Sequence, residues 1–230
     1  MSDVAELLRC CPIFSGLPQE GIEEAAQLVR VKHFEEKALI YNKGDLHNAI
    51  MVIAKGSVRI NSVNSSGKEV TLMFFEAKSW FGDNVFSPGI RRVFGATAHT
   101  DVTLLELSGD KFRQLLAKYP QSYPIVLDLL SRRLWTAISV IEDDAIRGIE
   151  ERIGRRLMLI AEYQNNQWDE SQPYVVRVTR EHIANMMGIT RQSVHKVLKN
   201  FENLGLLALK YGYITILAPS QMKAYLTQLE

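Results

Sequence analysis

The residues best suited to chemistry fall in one stretch, Thr179–Leu207, TREHIANMMGITRQSVHKVLKNFENLGLL. Within it Arg191, Gln192, Ser193, His195, Lys196 and Lys199 are spaced to share the outer face of one helix. Arg pairs bidentately with guanine O6 and N7, and Gln does the same with adenine N6 and N7. Ser193 and Lys199 suit phosphate oxygens. Such a set is fitted to a DNA groove and its flanking backbone. Thr179, Arg180 and Thr190, at the two helix starts, complete the candidate DNA-binding set. The alternative is a helical hairpin with a solvated, charged face.

The elements that must position these side chains can be read around them. Thr179 is an N-cap for a helix that starts at Arg180, and Thr190 caps the next one. Ile183, Met187, Ile189, Val194 and Val197 can form one small core. Ala184 is small enough for a second helix to cross closely, and Gly188 suits a turn that needs positive φ. This is the helix-turn-helix layout, whose second helix enters the major groove N-terminus first. Two short strands, LLALK and YITIL, follow around Tyr211-Gly212 and make the hairpin Leu206–Leu217, with Lys210, into a wing. Charge agrees. Residues 177–210 hold six Lys+Arg against two Asp+Glu, whereas residues 1–147 hold 17 against 18. A basic stripe on an otherwise neutral chain is the footprint of a local anionic partner.

The rest of the chain changes texture twice. Residues 3–9 and 20–31 have apolar positions at helical spacing. From Val31 to Leu107 short β-like runs follow (VKHF, ALIY, AIMVIA, SVRINSV, EVTLMFF, FGATA, VTLLEL), with turns at Lys55-Gly56 and Asn64–Gly67. Many short strands suggest a β-sandwich, roll or barrel. DKFRQLLAKY is helical again. After Pro120 and Pro124 a long helix runs from about Ile125 to Ile146. On it Leu127, Leu130, Leu134, Ala137 and Ile141 recur at spacings of three and four, a heptad seam for a second copy of the chain. Asp143-Asp144 and Gly148 mark a hinge. Residues 149–164 form an amphipathic helix, and NNQWDESQP is a polar loop.

Composition excludes several classes. At 47% hydrophobic and 23% charged residues the 230-residue chain is not largely disordered. No apolar run approaches the ~20 residues of a membrane helix, and the N-terminus lacks a secretory pattern. Cys10 and Cys11 are the only cysteines, which points to a reducing cytoplasm and excludes a four-cysteine iron–sulfur or zinc site within one chain. No Walker loop, HExxH, GxSxG or metal-ligand cluster argues for an enzyme.

With these segments in view, the chain resembles the cyclic-AMP receptor protein / fumarate-nitrate regulator (CRP/FNR) superfamily of bacterial transcription factors. TRQSVHKVLKNFENLGLL carries the most specific likeness. The resemblance implies an α+β chain: a β-roll effector domain over 1–118, a dimerisation helix and hinge over 119–147, and a winged helix-turn-helix over 148–230. It implies a cytoplasmic homodimer on a palindromic operator, with RNA polymerase as a partner. Arg191, Gln192 and Lys196 would read bases and Ser193 would contact a base or the backbone. His195 stands where the family often has a small residue.

The family's phosphate-binding cassette maps onto Phe81-Gly82-Asp83 and Arg91-Arg92-Val93. By the resemblance Arg92 would be its phosphate ligand, but Asp83 replaces a Glu and Val93 replaces a hydroxyl donor. Aligning Arg132-Arg133-Leu134 puts Ala137 and Ile138 where cyclic-AMP-responsive members hydrogen-bond the adenine. Neither can. The expected effector is a small anionic or nucleotide-like molecule other than cyclic AMP. Haem would need an axial ligand, and His33, His47 and His99 lie in the β-region without a second feature that points to it. Two alternatives stay open: a regulator that does respond to a cyclic nucleotide, and a cyclic-nucleotide-binding-like module acting on a protein partner.

Overall fold

The structure is a computed structural model and describes residues 2–67, 69–164, 169 and 171–229. Residues 165–168 and 170, in the polar loop expected from the sequence, lie outside the described residues. The described chain divides into two compact units, one of residues 2–67 and 74–135, the other of residues 69–73 and 136–229.

The first unit opens with α1 (Ser2–Arg9) and α2 (Gln19–Leu28). Then come β1 (Arg30–Phe34), β2 (Leu39–Tyr41), β3 (Ala49–Lys55), β4 (Ser57–Val63), β5 (Glu69–Glu76, which straddles the units), β6 (Trp80–Phe81), β7 (Gly95–Ala98) and β8 (Val102–Ser108). They form two four-stranded sheets, ordered β1-β8-β3-β6 and β2-β7-β4-β5. The run AIMVIA is apolar at successive positions because β3 is central and buried on both faces. Both expected turns are present. Gly56 has φ +81°, and a Cβ there would lie 2.1 Å from the Asp101 carbonyl oxygen, so no other residue fits. Asn64 accepts from the Ser66 N–H through its side chain and from the Gly67 N–H through its carbonyl. β6 is too short to have shown in the sequence pattern.

Helix α3 (Gly109–Lys118) and the start of α4 (Tyr123–Ile146) complete this unit. Leu8, Phe14, Ile22, Phe112, Leu115 and Val126 from the helices pack with Ile50, Val52, Trp80, Leu105 and Leu107 of the first sheet. On α4, Leu127, Leu134, Trp135, Ile138 and Ile141 are exposed. Of the positions expected to form the seam, Leu127, Leu134, Ala137 and Ile141 are exposed and Leu130 is half-buried against the core of its own unit. Ile138 adds to the outward stripe. A heptad register cannot by itself say which apolar residue a neighbouring sheet will claim.

The expected hinge is a helix break with a brace across it. α4 ends at Ile146, and α5 spans Ile149–Gln164. Asp143 and Asp144 lie inside the last turn of α4 and reach across the break. Arg147 pairs with Asp143 at 2.7 Å and with Glu151, Arg155 pairs with Glu151 at 2.9 Å, and Arg152 pairs with Asp144 at 2.7 Å. The acidic pair is thus engaged by arginines at the junction.

Beyond α5 come β9 (Tyr174–Val176), α6 (Arg180–Met187), α7 (Arg191–Asn203), β10 (Leu207–Lys210), β11 (Tyr213–Ile216) and α8 (Pro219–Thr227). β9 pairs with β11, so the wing is a three-stranded sheet ordered β10-β11-β9. Neither β9 nor α8 is foreseen from the sequence. α8 packs Leu226 so closely on α5 that a Cβ at Gly154 would lie 2.4 Å from it. Among the described residues no helix is long and apolar enough to cross a membrane.

Candidate nucleic-acid interface and effector cassette

The start of α6 is fixed by a capping box. The Thr179 hydroxyl accepts from the His182 N–H at 3.1 Å, and the His182 ring Nδ1 accepts from the Thr179 N–H at 3.4 Å. The helix stops at Gly188, which is left-handed at φ 64°, and the Ile189 N–H closes on the Ala184 carbonyl. Thr190 then caps α7 by accepting from the Ser193 N–H at 3.1 Å. Ile183, Ala184, Met187, Val194 and Val197 are buried, as the spacing requires, and Leu198 and Phe201 deepen that core.

With that side of α7 buried, Arg191, Gln192, His195, Lys196 and Lys199 all stand in solvent. They occupy relative positions 1, 2, 5, 6 and 9 and so share a face. Thr179, Arg180 and Ser193 are half-buried. Besides the caps Thr179 and Thr190, two more of the candidates have intramolecular partners. The Ser193 hydroxyl lies 2.9 Å from that of Thr190, and Lys199 pairs with Glu202 at 2.5 Å. The other Glu202 oxygen accepts from the Leu209 N–H of β10 at 3.1 Å. In the sequence Glu202 counts only toward the charge balance of residues 177–210. At the wing tip Tyr211 is fully exposed, beside Gly212 at φ +81°.

The β-roll cassette is built the other way round. Phe81 is buried at the end of β6, where its ring stacks with Phe75 and meets Tyr41. Gly82 has φ +110°, and a Cβ there would strike the Ala49 carbonyl oxygen at 2.3 Å. That tight approach leads into a short 3-10 turn, Asp83–Phe86. Arg92 is only 5% exposed. Its Nη2 donates to the Ala49 carbonyl at 2.9 Å, and its guanidinium lies 4.3 Å from the centre of the Tyr41 ring. Its Nε is buried without a partner among the described residues. Burial holds the Arg92 pKa below its ordinary value and pushes that of Tyr41 up to about 12. Arg91 instead points outward and donates to the Gly44 carbonyl. Val93 is 60% exposed.

Asp83 is not free. Arg133 of α4 pairs with it at 2.5 Å, donates to the Trp80 carbonyl at 2.7 Å and lies 3.5 Å over the Trp80 ring. Arg133 and Tyr41 contact the candidate cassette, a role the sequence did not single out because their partners lie tens of residues away along the chain. Ala137 and Ile138 are exposed on α4 and carry no hydroxyl.

The three β-region histidines are engaged elsewhere. His33 bonds the Thr103 hydroxyl, His47 pairs with Glu106, and His99 packs edge-on against Phe74. Cys10 is exposed, while burial pushes the Cys11 thiol up to about 12.

The fold and these two sites define a class: a β-roll ligand-binding domain joined to a winged helix-turn-helix. A cyclic nucleotide-binding domain model matches residues 31–119, and a Crp-like helix-turn-helix domain model matches residues 151–225. The cAMP-activated global transcriptional regulator CRP of Haemophilus influenzae is 26% identical over 76% of this chain and 78% of its own. Among solved structures, a CooA variant from Carboxydothermus hydrogenoformans superposes with a TM-score of 0.69 at 21% identity, covering 87% of this chain and 88% of that one. A CRP/FNR-family transcriptional regulator from Thermus thermophilus gives 0.63 at 23%, covering 87% and 100%. The chain belongs to the CRP/FNR family and is a DNA-binding transcription regulator of the CRP type.

Proposed function

We propose that the chain works as a homodimer. In this reading the α4 stripe is the seam, and each α7 reads one half of an inverted-repeat operator. Arg191, Gln192 and Lys196 contact bases, and Lys199 meets phosphate. Thr179, Arg180, Thr190, Ser193 and His195 frame those contacts. The observation that carries the proposal is the rigidly capped α7, whose core side is buried and whose cations stand outward.

The β-roll, residues 1–118, receives a small anionic effector other than cyclic AMP. Phe81, Gly82, Asp83, Arg91, Arg92 and Val93 line or frame its site. The buried Arg92, with its unpartnered Nε, supports an anion as the ligand. Residues 119–147 transmit the effector's state to residues 148–230, and RNA polymerase reads the outcome in the cytoplasm. The test is selection from random duplexes. The expected product is an inverted repeat with half-sites roughly 10 bp apart centre to centre, or a multiple of that. Selected DNA with no repeat, or no enrichment over random sequence, overturns the dimeric operator.

A further inference from the structure

On a surface meant for phosphates, one carboxylate stands out. Glu202 is one turn along α7 from Lys199, and its two oxygens have separate tasks. One holds Lys199 at 2.5 Å, and the other caps the Leu209 N–H on the outer edge of β10 at 3.1 Å. The capping task explains a polar oxygen at this position. It does not explain a charge, because a neutral amide oxygen accepts the same bond. What the charge adds falls on the cations nearby, Lys199 by direct contact and Arg180 through its field.

We propose that Glu202 is a fixed acidic competitor for backbone phosphate, an affinity-setting residue that lowers the protein's hold on every duplex alike. The inference rests on α7 being the helix that docks on DNA. Before a phosphate can take Lys199, the intramolecular pair must open. The carboxylate cannot then swing clear, because the wing backbone holds it, and so it faces the incoming phosphates. Like charges at that distance repel, and the effect is independent of sequence because phosphates are. Base contacts by Arg191, Gln192 and Lys196 set discrimination separately.

Glu202→Gln in the full-length protein isolates the charge, since the amide oxygen keeps the Leu209 bond. Binding is measured on a random duplex and on a selected inverted repeat between 50 and 200 mM salt, values chosen to span the steep salt dependence of phosphate contacts. Both affinities should rise by the same factor, roughly two- to fivefold at the lower salt. The gain should shrink as salt rises, with the salt slope steeper by up to about one ion. The thermal melt should not move. Glu202→Ala, which also strands Leu209, should lower the melt. Unchanged affinity of Glu202→Gln at every salt, or tightening on only one of the two DNAs, overturns the assignment. Arg191→Ala run in parallel separates the two readings. If it weakens the repeat while Glu202→Gln does nothing, only the role of Glu202 falls. If neither variant matters, α7 is not the docking helix and both readings fall.

Discussion

The α7 face and the β-roll cassette each carry arginines suited to anions, yet they present them in opposite ways. α7 holds Arg191, Lys196 and Lys199 in water, where a charge costs nothing before the partner arrives. The cassette holds Arg92 almost wholly out of water, on a carbonyl oxygen and a tyrosine ring. A duplex is large and stiff, so its site must be convex and hydrated, and many weak contacts sum. A small ion offers few contacts, so its site must make each one count. In low dielectric the same cation attracts an anion several times more strongly. The difference teaches that burial of a cation is as informative about its ligand as its identity is.

The largest test breaks the link between the two regions. Leu134→Asp places a carboxylate at the centre of the proposed seam in both protomers, where burying it unpaired costs several kcal/mol. Sedimentation should show a monomer, with operator binding lost and the β-roll still folded. A persistent dimer would mean the seam is elsewhere.

Next comes the ligand of the cassette. Val93, Ala137 and Ile138 carry no hydroxyl at positions where the family resemblance expects hydroxyl contacts to cyclic AMP, each missing bond being worth ~0.5–1.5 kcal/mol or more to a charged group. Cyclic AMP should therefore bind roughly three orders of magnitude more weakly than to a chain that makes those contacts. Isothermal titration decides this, and micromolar affinity with a large rise in specific DNA binding would restore a direct cyclic-AMP mechanism. The smallest effects sharpen the α7 side. Arg191→Ala should cost ~1–3 kcal/mol and relax preference at one base pair. Lys199→Ala should cost less than ~1 kcal/mol on all sequences alike, since Glu202 already holds that lysine. Equal losses on specific and random DNA for Arg191→Ala would reduce it to a phosphate contact.

What was legible in the sequence follows the range of the interactions. The caps Thr179 and Thr190, the Gly188 turn and the outward cations are local, set within a few residues, and each is found where its type demands. The cassette's Phe81-Gly82 step was readable through the family resemblance alone, and the structure supplies its reason, since a Cβ at Gly82 would strike the Ala49 carbonyl oxygen. The pairing of Asp83 with Arg133 was not, as it joins residues 50 apart. The half-burial of Leu130 was hidden for the same reason: its neighbours in its own unit are ones that periodicity cannot see. β9 is three residues long and has no pattern of its own. α8 did leave a signal that went unread, a proline at its first position with Met222 and Leu226 one turn apart.

β9 lies before the helix-turn-helix in the chain, yet its hydrogen-bonding partner, β11, lies after it. The reading head is thus bracketed by strands that meet only across some forty residues of intervening chain. α6 and α7 are set by contacts within a few residues, whereas closing Ile214–Ile216 onto β9 and seating Leu226 on Gly154 bring distant stretches of chain together. Local contacts form readily, and non-local ones must first meet the entropy of closing the loop between them. The sheet is thus a clasp around the helix-turn-helix, its two sides drawn from opposite ends of the segment it encloses.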